Sequence, residues 1–512
     1  MAEEAKAVSA EGAGTKSVSV LEQVRTMGFN FWIANVMEAF ERLAFFGVRA
    51  VLPLYMVGTS GGGIGLSMSE KGAIYMVWAL IQCLVPMVSG GYTEAYGYKK
   101  SLFVAFCLNI LGYVTMANAR TFWMMMLAGC LVGLGTALFK PPVQGSVAKS
   151  LNEKNSGLGF GLFYWVVNIG GFLAPMAAAS ARGNETAPTW HYVFYGAAIV
   201  TAINFLPTIF LFREPERDPE AAKKKPIKVF TDTMKVLWND KAMLRFLLIV
   251  SGFWFMFMQL WDLLPNFLDE WVDTRDVGGL LAAIPLDFVK GWLMADGAAK
   301  PEILINIDAA AIILFVLPLS WFFGRYKMMT SLVLGMAIGL VGFVASGLTS
   351  VGMFAAIAIF VFAIGEIICS PKFSEFIGMT APPDKKALYM GYSNIPFAIG
   401  WAAGNGISGP LYDGFASKNM LARKYLAEHF GMSPESLESL KGTELFNTLA
   451  AKLGGVDIYE VNRVLWDAYN PWVIWLMLGV VGLASLVGMT VSYKLSQKKD
   501  SAPEAPTAQP TA

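Results

Sequence analysis

Stretches of roughly 20 mostly apolar residues recur along the chain, starting near positions 28, 71, 101, 121, 157, 190, 243, 302, 328, 351, 386 and 470. A helix of about 20 residues, rising about 1.5 Å per residue, crosses the ~30 Å hydrocarbon core of a bilayer. The pattern therefore predicts an all-α integral membrane protein with twelve transmembrane helices. Little more than Asn118-Ala119-Arg120-Thr121 separates the third from the fourth, and Gly347 to Gly352 separates the ninth from the tenth. Such tight turns make antiparallel neighbours.

Basic residues then divide the connections into two kinds. Lys99 and Lys100, Lys149 and Lys154, Arg213 through Lys228, Arg325 and Lys327, Lys385 and Lys386, and Lys494 to Lys499 all fall on one side, whereas Gly58 to Ser69 carries no Lys or Arg. The excess of positive charge marks the cytoplasmic side, so both termini are expected there, in the cell (inner) membrane. Six helices over 28–213, a charged linker over 214–242 and six more over 243–496 describe two bundles. The ends, 1–27 and 497–512, are polar or Pro/Ala-rich and are expected to be disordered. The first of them lacks the apolar core of a cleavable signal peptide, which leaves targeting to the first helix. On the outer side, 269–301 and 412–470 are longer than ordinary connections and are expected to hold short helices. Ser433 before Pro434 and Glu435 reads as an N-cap, and Thr443 to Gly454 as a capped amphipathic segment. These insertions are either solvated decoration, a lid or a place for a protein partner.

Composition excludes most other classes. With 55% hydrophobic and 15% charged residues, the chain is too apolar for a soluble enzyme, and a net charge of +1 leaves no basic excess for nucleic acid. Cys83, Cys107, Cys130 and Cys369 sit in apolar runs, spaced for neither zinc nor a disulfide framework. Both histidines, His191 and His429, lie outside the core helices, so no nucleophile–histidine arrangement is available and catalysis is not expected. Gly61 to Gly65 follows no strand and reads as a flexible connection, and Asn184-Glu185-Thr186 matches a glycosylation pattern common by chance. No metal or organic cofactor is expected, and any coupling ion is expected to be the proton.

An internal echo supports the two halves. Glu94-Ala95-Tyr96-Gly97-Tyr98-Lys99-Lys100 precedes the third helix and Phe323-Gly324-Arg325-Tyr326-Lys327 the ninth. This resembles the parallel repeat of the major facilitator superfamily, which implies two six-helix bundles with a substrate site between them near the midplane. It makes Glu94, Lys99 and Lys100 candidates for conformational gating.

Ionisable residues inside spanning helices cost about 2.5–3.5 kcal/mol or more each, so each is a functional candidate. The first helix holds Glu38, Glu41, Arg42 and Arg49, and at about 100° per residue Glu38, Arg42, Phe45 and Arg49 share a stripe with Glu41 on its flank. Lys140 precedes Pro141 in the fourth helix, Glu366 precedes Pro371 in the tenth, and Asp262 and Asp308 add carboxylates in the seventh and eighth. A carboxylate paired with arginine takes up a proton when an anionic substrate removes its partner, which couples proton to solute without histidine. Proton carriage falls to Glu38, Glu41, Glu366 or Asp262 beside Arg42. A purely structural salt bridge is the alternative for Glu41 and Arg42.

At these residues the sequence resembles the proton-dependent oligopeptide transporter family. Glu38-x-x-Glu41-Arg42-x-x-x-x-Gly47-x-Arg49, Phe163-Tyr164-x-x-x-Asn168-x-Gly170, Phe139-Lys140-Pro141, and Gly365-Glu366 with Pro371, Ala381-Pro382 and Met390-Gly391 carry the likeness over most of the spanning region. It implies proton coupling at Glu38, Glu41 and Arg42, a substrate carboxylate facing Arg42 and Lys140, and a substrate amino group facing Asn168 and Glu366. Phe46, Arg49, Gln259, Asp308 and Ser393 complete the implied substrate-binding set. The chain departs from the family at Phe45 and Phe46, where two tyrosines are usual, at Ser393, where a tryptophan is usual, and at Met258 before Gln259, where an acid is usual. The implied function is proton-coupled symport of di- or tripeptides, or of related zwitterionic or anionic solutes, by alternating access. Proton-independent or antiport transport of amphipathic molecules, or a non-transporting receptor or assembly subunit, are the other readings.

Overall fold

The computed structural model describes residues 19–58, 62–152, 154–183, 189–217, 226–382, 386–440 and 442–500. Among them the regular structure is helical, apart from isolated bridges joining Asp273 to Val351 and Leu293 to Ala299. The first six spanning helices are Phe29–Val57, Met68–Leu84 continued by Pro86–Tyr96, Tyr98–Asn118, Phe122–Lys149, Ser156–Ala181, and Trp190–Ile203 continued by a π-turn at Pro207–Leu211. The second six are Lys241–Asp262, Pro301–Phe323, Met328–Gly347, Gly352–Thr380, Asn394–Phe415 and Val473–Asp500. Their starts lie within three residues of the sequence expectation except for the eleventh. There Lys386–Gly391 is a separate short helix, and the spanning helix begins at Asn394 rather than near 386.

Local chemistry sets these ends. Ser67 and Glu70 form a reciprocal capping box on the second helix, and the side chains of Thr121 and Asp240 accept from the backbone N–H groups of Met124 and Met243. The second helix bends by 48° at Val85, where Pro86 contributes no backbone donor. Among the described residues, nine helices are long and apolar enough to span, and the bent pair makes a tenth. The first falls outside that count because Glu38, Glu41, Arg42 and Arg49 put three or more charges in every window of a span's length. The eleventh is diluted by glycine and asparagine.

In the first half, helix one packs on five and six, and helix four on two and three; in the second, nine packs on ten, eight on ten, and seven on eleven and twelve. The halves meet where helix two lies along eleven and helix five along eight. Twelve crossings return both termini to one face, here the termini face; the opposite one, with both long connections, is the insertion face. A short helix, Val20–Arg25, lies within 1–27 with Ser19 as its cap. The linker holds Pro226–Asn239, which packs against Pro86–Tyr96, and the last helix runs on to Asp500. Asn184-Glu185-Thr186 and Lys223 to Lys225 lie outside the described residues.

Both insertions fold against the bundle. The 412–470 segment holds Lys418–Phe430, Pro434–Ser439, Thr443–Lys452 and Ile458–Tyr469, with Ser433 capping the second of these as its sequence suggests. Leu421, Leu426, Leu445, Leu449, Val461 and Leu465 are buried in one core with Phe267, Trp271 and Trp475 of the second half. Burial of that area makes the segment part of the second half's core rather than loose decoration.

Helices two and eleven touch through backbone. A Cβ on Gly72 would stand 2.4 Å from the Asn405 carbonyl oxygen, and one on Gly409 2.4 Å from that of Met68. Gly72→Val must push the halves apart at the insertion face, at a cost of about 1–3 kcal/mol. The expected outcome is a lower thermal unfolding midpoint, with faster reaction of a thiol placed by Asn405→Cys.

Candidate transport site

Helix one carries its charges in two tiers. The first lies about one-third of the way from the termini face. Arg42 Nε donates to Glu41 Oε2 at 2.5 Å and sits 3.3 Å from Glu38 Oε1. From helix four, Lys140 Nζ donates to the same Glu38 oxygen at 2.8 Å, and Thr136 Oγ1 donates to Glu41 Oε1 at 3.4 Å. Glu38, Glu41 and Arg42 are buried while the Lys140 side chain stays 24% exposed, so the lysine is the member of the cluster that faces open space. Two cations and two carboxylates there compensate one another, as burial in low dielectric requires. The guanidinium of Arg42 also lies over the rings of Phe45 and Phe46, 4.8 and 5.5 Å from their centroids. Phe46 reaches across to Trp261 of helix seven, with centroids 6.1 Å apart.

The second half contributes acids. Asp308 of helix eight and Glu366 of helix ten come within hydrogen-bonding reach of each other, on helices that pack through Ala311, Ile312, Ala363 and Ile367. Asp308 Oδ1 and Glu366 Oε2 are buried and have no hydrogen-bond partner among the described residues. Tyr164 of helix five lies close to both carboxylates of this pair, and the Asn168 amide donates to the Tyr164 carbonyl at 2.8 Å.

The second tier is a latch between the halves. Arg49 lies seven residues beyond Arg42, about 10 Å along the helix, and pairs with Asp262 of helix seven. The Asp262 carboxylate also accepts from Trp401 Nε1 at 2.6 Å and Asn405 Nδ2 at 2.7 Å. Arg49 is boxed by Tyr75, Trp78 and Trp401, with ring centroids 4.7, 5.8 and 4.9 Å from its guanidinium carbon. Lys71 Nζ donates to the Asp262 carbonyl and to Asn266 Oδ1 at 2.6 and 2.7 Å, and Asn266 donates to the Pro53 carbonyl at 2.9 Å. Asp413 of helix eleven accepts from the Met68 and Ser69 amides at 3.0 and 2.8 Å. On the other side of the seam Arg182 pairs with Glu302 at 2.9 Å, and Asn306 donates to the Phe172 carbonyl at 2.9 Å. These bridges cluster toward the insertion face.

The structure thus brings Glu38, Glu41, Arg42 and Lys140 together, and separately Asp308 with Glu366. Arg49 and Asp262 stand in the latch. Gln259 is buried against helix eleven, its Nε2 donating to the Phe255 carbonyl at 3.2 Å. Ser393 marks the break before helix eleven, half-buried and bonded to the Met390 carbonyl at 2.7 Å. At the termini face, Glu94 accepts from Tyr98 Oη at 2.5 Å and Lys149 Nζ at 2.9 Å. Glu214 accepts from the Tyr98 and Lys99 amides at 2.6 and 3.0 Å, so Lys99 enters this assembly through its backbone. Lys71, Trp401, Asn405, Trp261 and the Arg182–Glu302 pair were not singled out from sequence. The lone lysine opening an apolar stretch at Lys71, and Trp401 with Asn405 one turn on, were the available signals. Helix eleven carries a tryptophan of its own at Trp401, two turns beyond Ser393, where it belongs to the latch.

Comparison with known proteins fits this architecture. The family description for the Major Facilitator Superfamily matches residues 35–405. The chain belongs to that superfamily and is a multi-pass membrane transporter. Curated relatives include the multidrug resistance protein MdtH of Enterobacter sp. (strain 638), 22% identical over 411 residues, spanning 78% of this chain and 90% of the relative. MdtH of Cronobacter sakazakii is 24% identical over 405 residues, spanning 77% and 89%. Among solved structures, a POT family transporter in complex with 5-aminolevulinic acid superposes with a TM-score of 0.64 at 16% identity, covering 94% of this chain and 98% of that one. The peptide transporter POT in complex with sulfate gives 0.63 at 17% identity, covering 92% and 94%. The nucleoside transporter NupG gives 0.62 at 13%, covering 91% and 99%. At these identities the structures share the fold.

Two measurements probe the latch. Asp262→Leu leaves Arg49 buried and uncompensated, a loss of about 3–5 kcal/mol. Adding Arg49→Leu should restore part of the thermal midpoint, so the double variant loses less than the sum of the singles. Above the latch, in the short helix Leu264–Trp271 beyond the spanning segment, Glu270 accepts from Tyr412 Oη at 2.9 Å and the Lys418 amide at 3.1 Å. Burial pushes its carboxyl up to about 7, against the lowering effect of those hydrogen bonds. The folded state then keeps a proton that the unfolded chain releases near the ordinary carboxyl value, so this contribution to stability is present on the acid side and is lost as pH rises through about 7. Glu270→Gln should raise the thermal midpoint at about pH 8 and leave it nearly unchanged at about pH 5.

Proposed function

We propose that the protein is a proton-coupled symporter of small peptides or related zwitterionic or anionic solutes, working by alternating access in the inner membrane with both termini cytoplasmic. The observation that carries this reading is the compensated cluster of Glu38, Glu41, Arg42 and Lys140, with a partly exposed lysine at its edge. A substrate carboxylate that engages Lys140 and Arg42 competes with Glu38 and Glu41 for their cations. The deprived glutamate takes up a proton, so substrate and proton are bound together. Asp308 and Glu366, across the seam and with no cation among the described residues bonded to them, suit a substrate amino group near Asn168. In this reading the bridges toward the insertion face hold the outer side shut, and the partly exposed Lys140 and Tyr164 belong to a pathway open to the cytoplasm.

A second reading has its own observation. Phe45 and Phe46 flank Arg42 and reach Trp261, which gives the site an aromatic wall suited to amphipathic solutes, and the curated relatives above bear the name multidrug resistance protein. That reading is transport of such compounds in exchange for protons.

Reconstituted vesicles separate the two. Under symport, Glu41→Gln abolishes accumulation driven by an inward proton gradient while substrate exchange persists. Lys140→Ala weakens carboxylate-bearing substrates far more than their amide-capped analogues. Gradient-driven accumulation that survives Glu41→Gln removes that residue from coupling; efflux of amphipathic cations driven by proton entry favours the second reading.

A further inference from the structure

The insertion between helices seven and eight is pinned at both ends. Near its start the Asp273 amide donates to the Ser350 carbonyl at 2.9 Å, and the Asp276 carboxylate accepts from the Met353 amide at 2.7 Å, which fixes it to the turn between helices nine and ten. At its far end Lys300 Nζ donates to the carbonyls of Ala179, Gly183 and Gly291 at 2.7, 2.6 and 2.9 Å, which fixes it to the end of helix five. Between these points Val289 and Trp292 are buried against Ala179, with Met176 and Ile303 beside them. A Cβ on Gly291 would stand 3.1 Å from the Ser180 hydroxyl oxygen.

These contacts fix the segment's depth. The spanning part of helix five ends at Ala181, and Met176 lies one and a half turns inside it, about 7 Å. The segment therefore rests where hydrocarbon gives way to lipid headgroups. Leu173, about one turn deeper on the Met176 and Ser180 stripe of helix five and within its spanning part, is exposed.

At that depth the segment turns an apolar surface outward. Leu280, Ile284, Leu286 and Phe288 are 59%, 40%, 49% and 56% exposed, and Val277 to Leu286 contains no charged residue. The exposed Asp287–Lys290 pair, at 2.8 Å, borders this surface, and the Trp292 side chain is tucked beneath it. Apolar side chains beside an interfacial lysine and tryptophan are the composition of a segment lying in the membrane interface.

We propose that residues 277–292 form a lipid-anchored strap: Leu280, Ile284, Leu286 and Phe288 sit among the acyl chains of the leaflet on the insertion face. The occupant is lipid because the surface continues, through Leu173, an exposed apolar flank within the membrane-spanning part of helix five. The strap joins helix five of one half to helix eight of the other, so the bilayer holds an element that spans the seam.

Photo-crosslinking in the full chain tests this directly. With benzoylphenylalanine in place of Phe288, reconstituted into phosphatidylethanolamine and phosphatidylglycerol vesicles, irradiation should give a phospholipid adduct by intact-protein mass spectrometry. The same probe in place of Glu435 should give none. No lipid adduct at position 288, or a crosslink to a second copy, overturns the proposal. An independent readout places a spin label by Ile284→Cys in a background with the four native cysteines replaced by serine. Collisions with oxygen should exceed those with a water-soluble nickel chelate several-fold relative to a label at Glu435→Cys. Nickel accessibility equal to that control places the segment in water and refutes the strap.

Discussion

An ionised side chain inside the hydrocarbon layer needs a partner, and that requirement organises much of this protein. Helix one alone carries four such groups, and it satisfies them in different ways. Glu38, Glu41 and Arg42 are compensated within the first half, with Lys140 closing the set. Arg49 finds its carboxylate on the other half, at Asp262. Because among the described residues neither partner of that pair is compensated by charge within its own half, burying both means bringing the halves together at that level. The aromatic box around Arg49 and the two indole and amide donors on Asp262 are what make burial of the pair tolerable.

The latch gains from backbone as much as from charge. Gly72 and Gly409 let helices two and eleven approach to direct contact, so the Asp413 carboxylate can cap the start of helix two and Lys71 can reach the end of helix seven. The second seam, between helices five and eight, uses a different pair, Arg182 with Glu302, beside the three carbonyls held by Lys300. Closure at the insertion face therefore rests on several bonds of ordinary strength distributed along both seams. Such an arrangement can be undone by rocking one half against the other without unfolding either.

Much of this was legible in the sequence. Apolar runs of spanning length fixed the helices, because lipid leaves the backbone no alternative to internal hydrogen bonds. Glu38, Glu41 and Arg42 declared themselves because three charges within five residues of an apolar helix are costly unless used or paired. The start of helix eleven was misjudged, since the apolar run continues through the break at Tyr392 and Ser393 and hydropathy is blind to it.

Sequence by itself determined which residues lie in the membrane, where charge had to be accommodated, and that the chain falls into two halves. Periodicity and transfer free energy are local properties, and each helix reports them alone. Tertiary structure decided the pairings: that Lys140 turns to Glu38, that Asp308 meets Glu366, that Arg49 closes on Asp262 with Lys71 beside it, and that the insertions fold onto the bundle. A charge's need for a partner is written in its own helix, but the partner's identity depends on how distant helices pack, which a few backbone contacts at glycine decide.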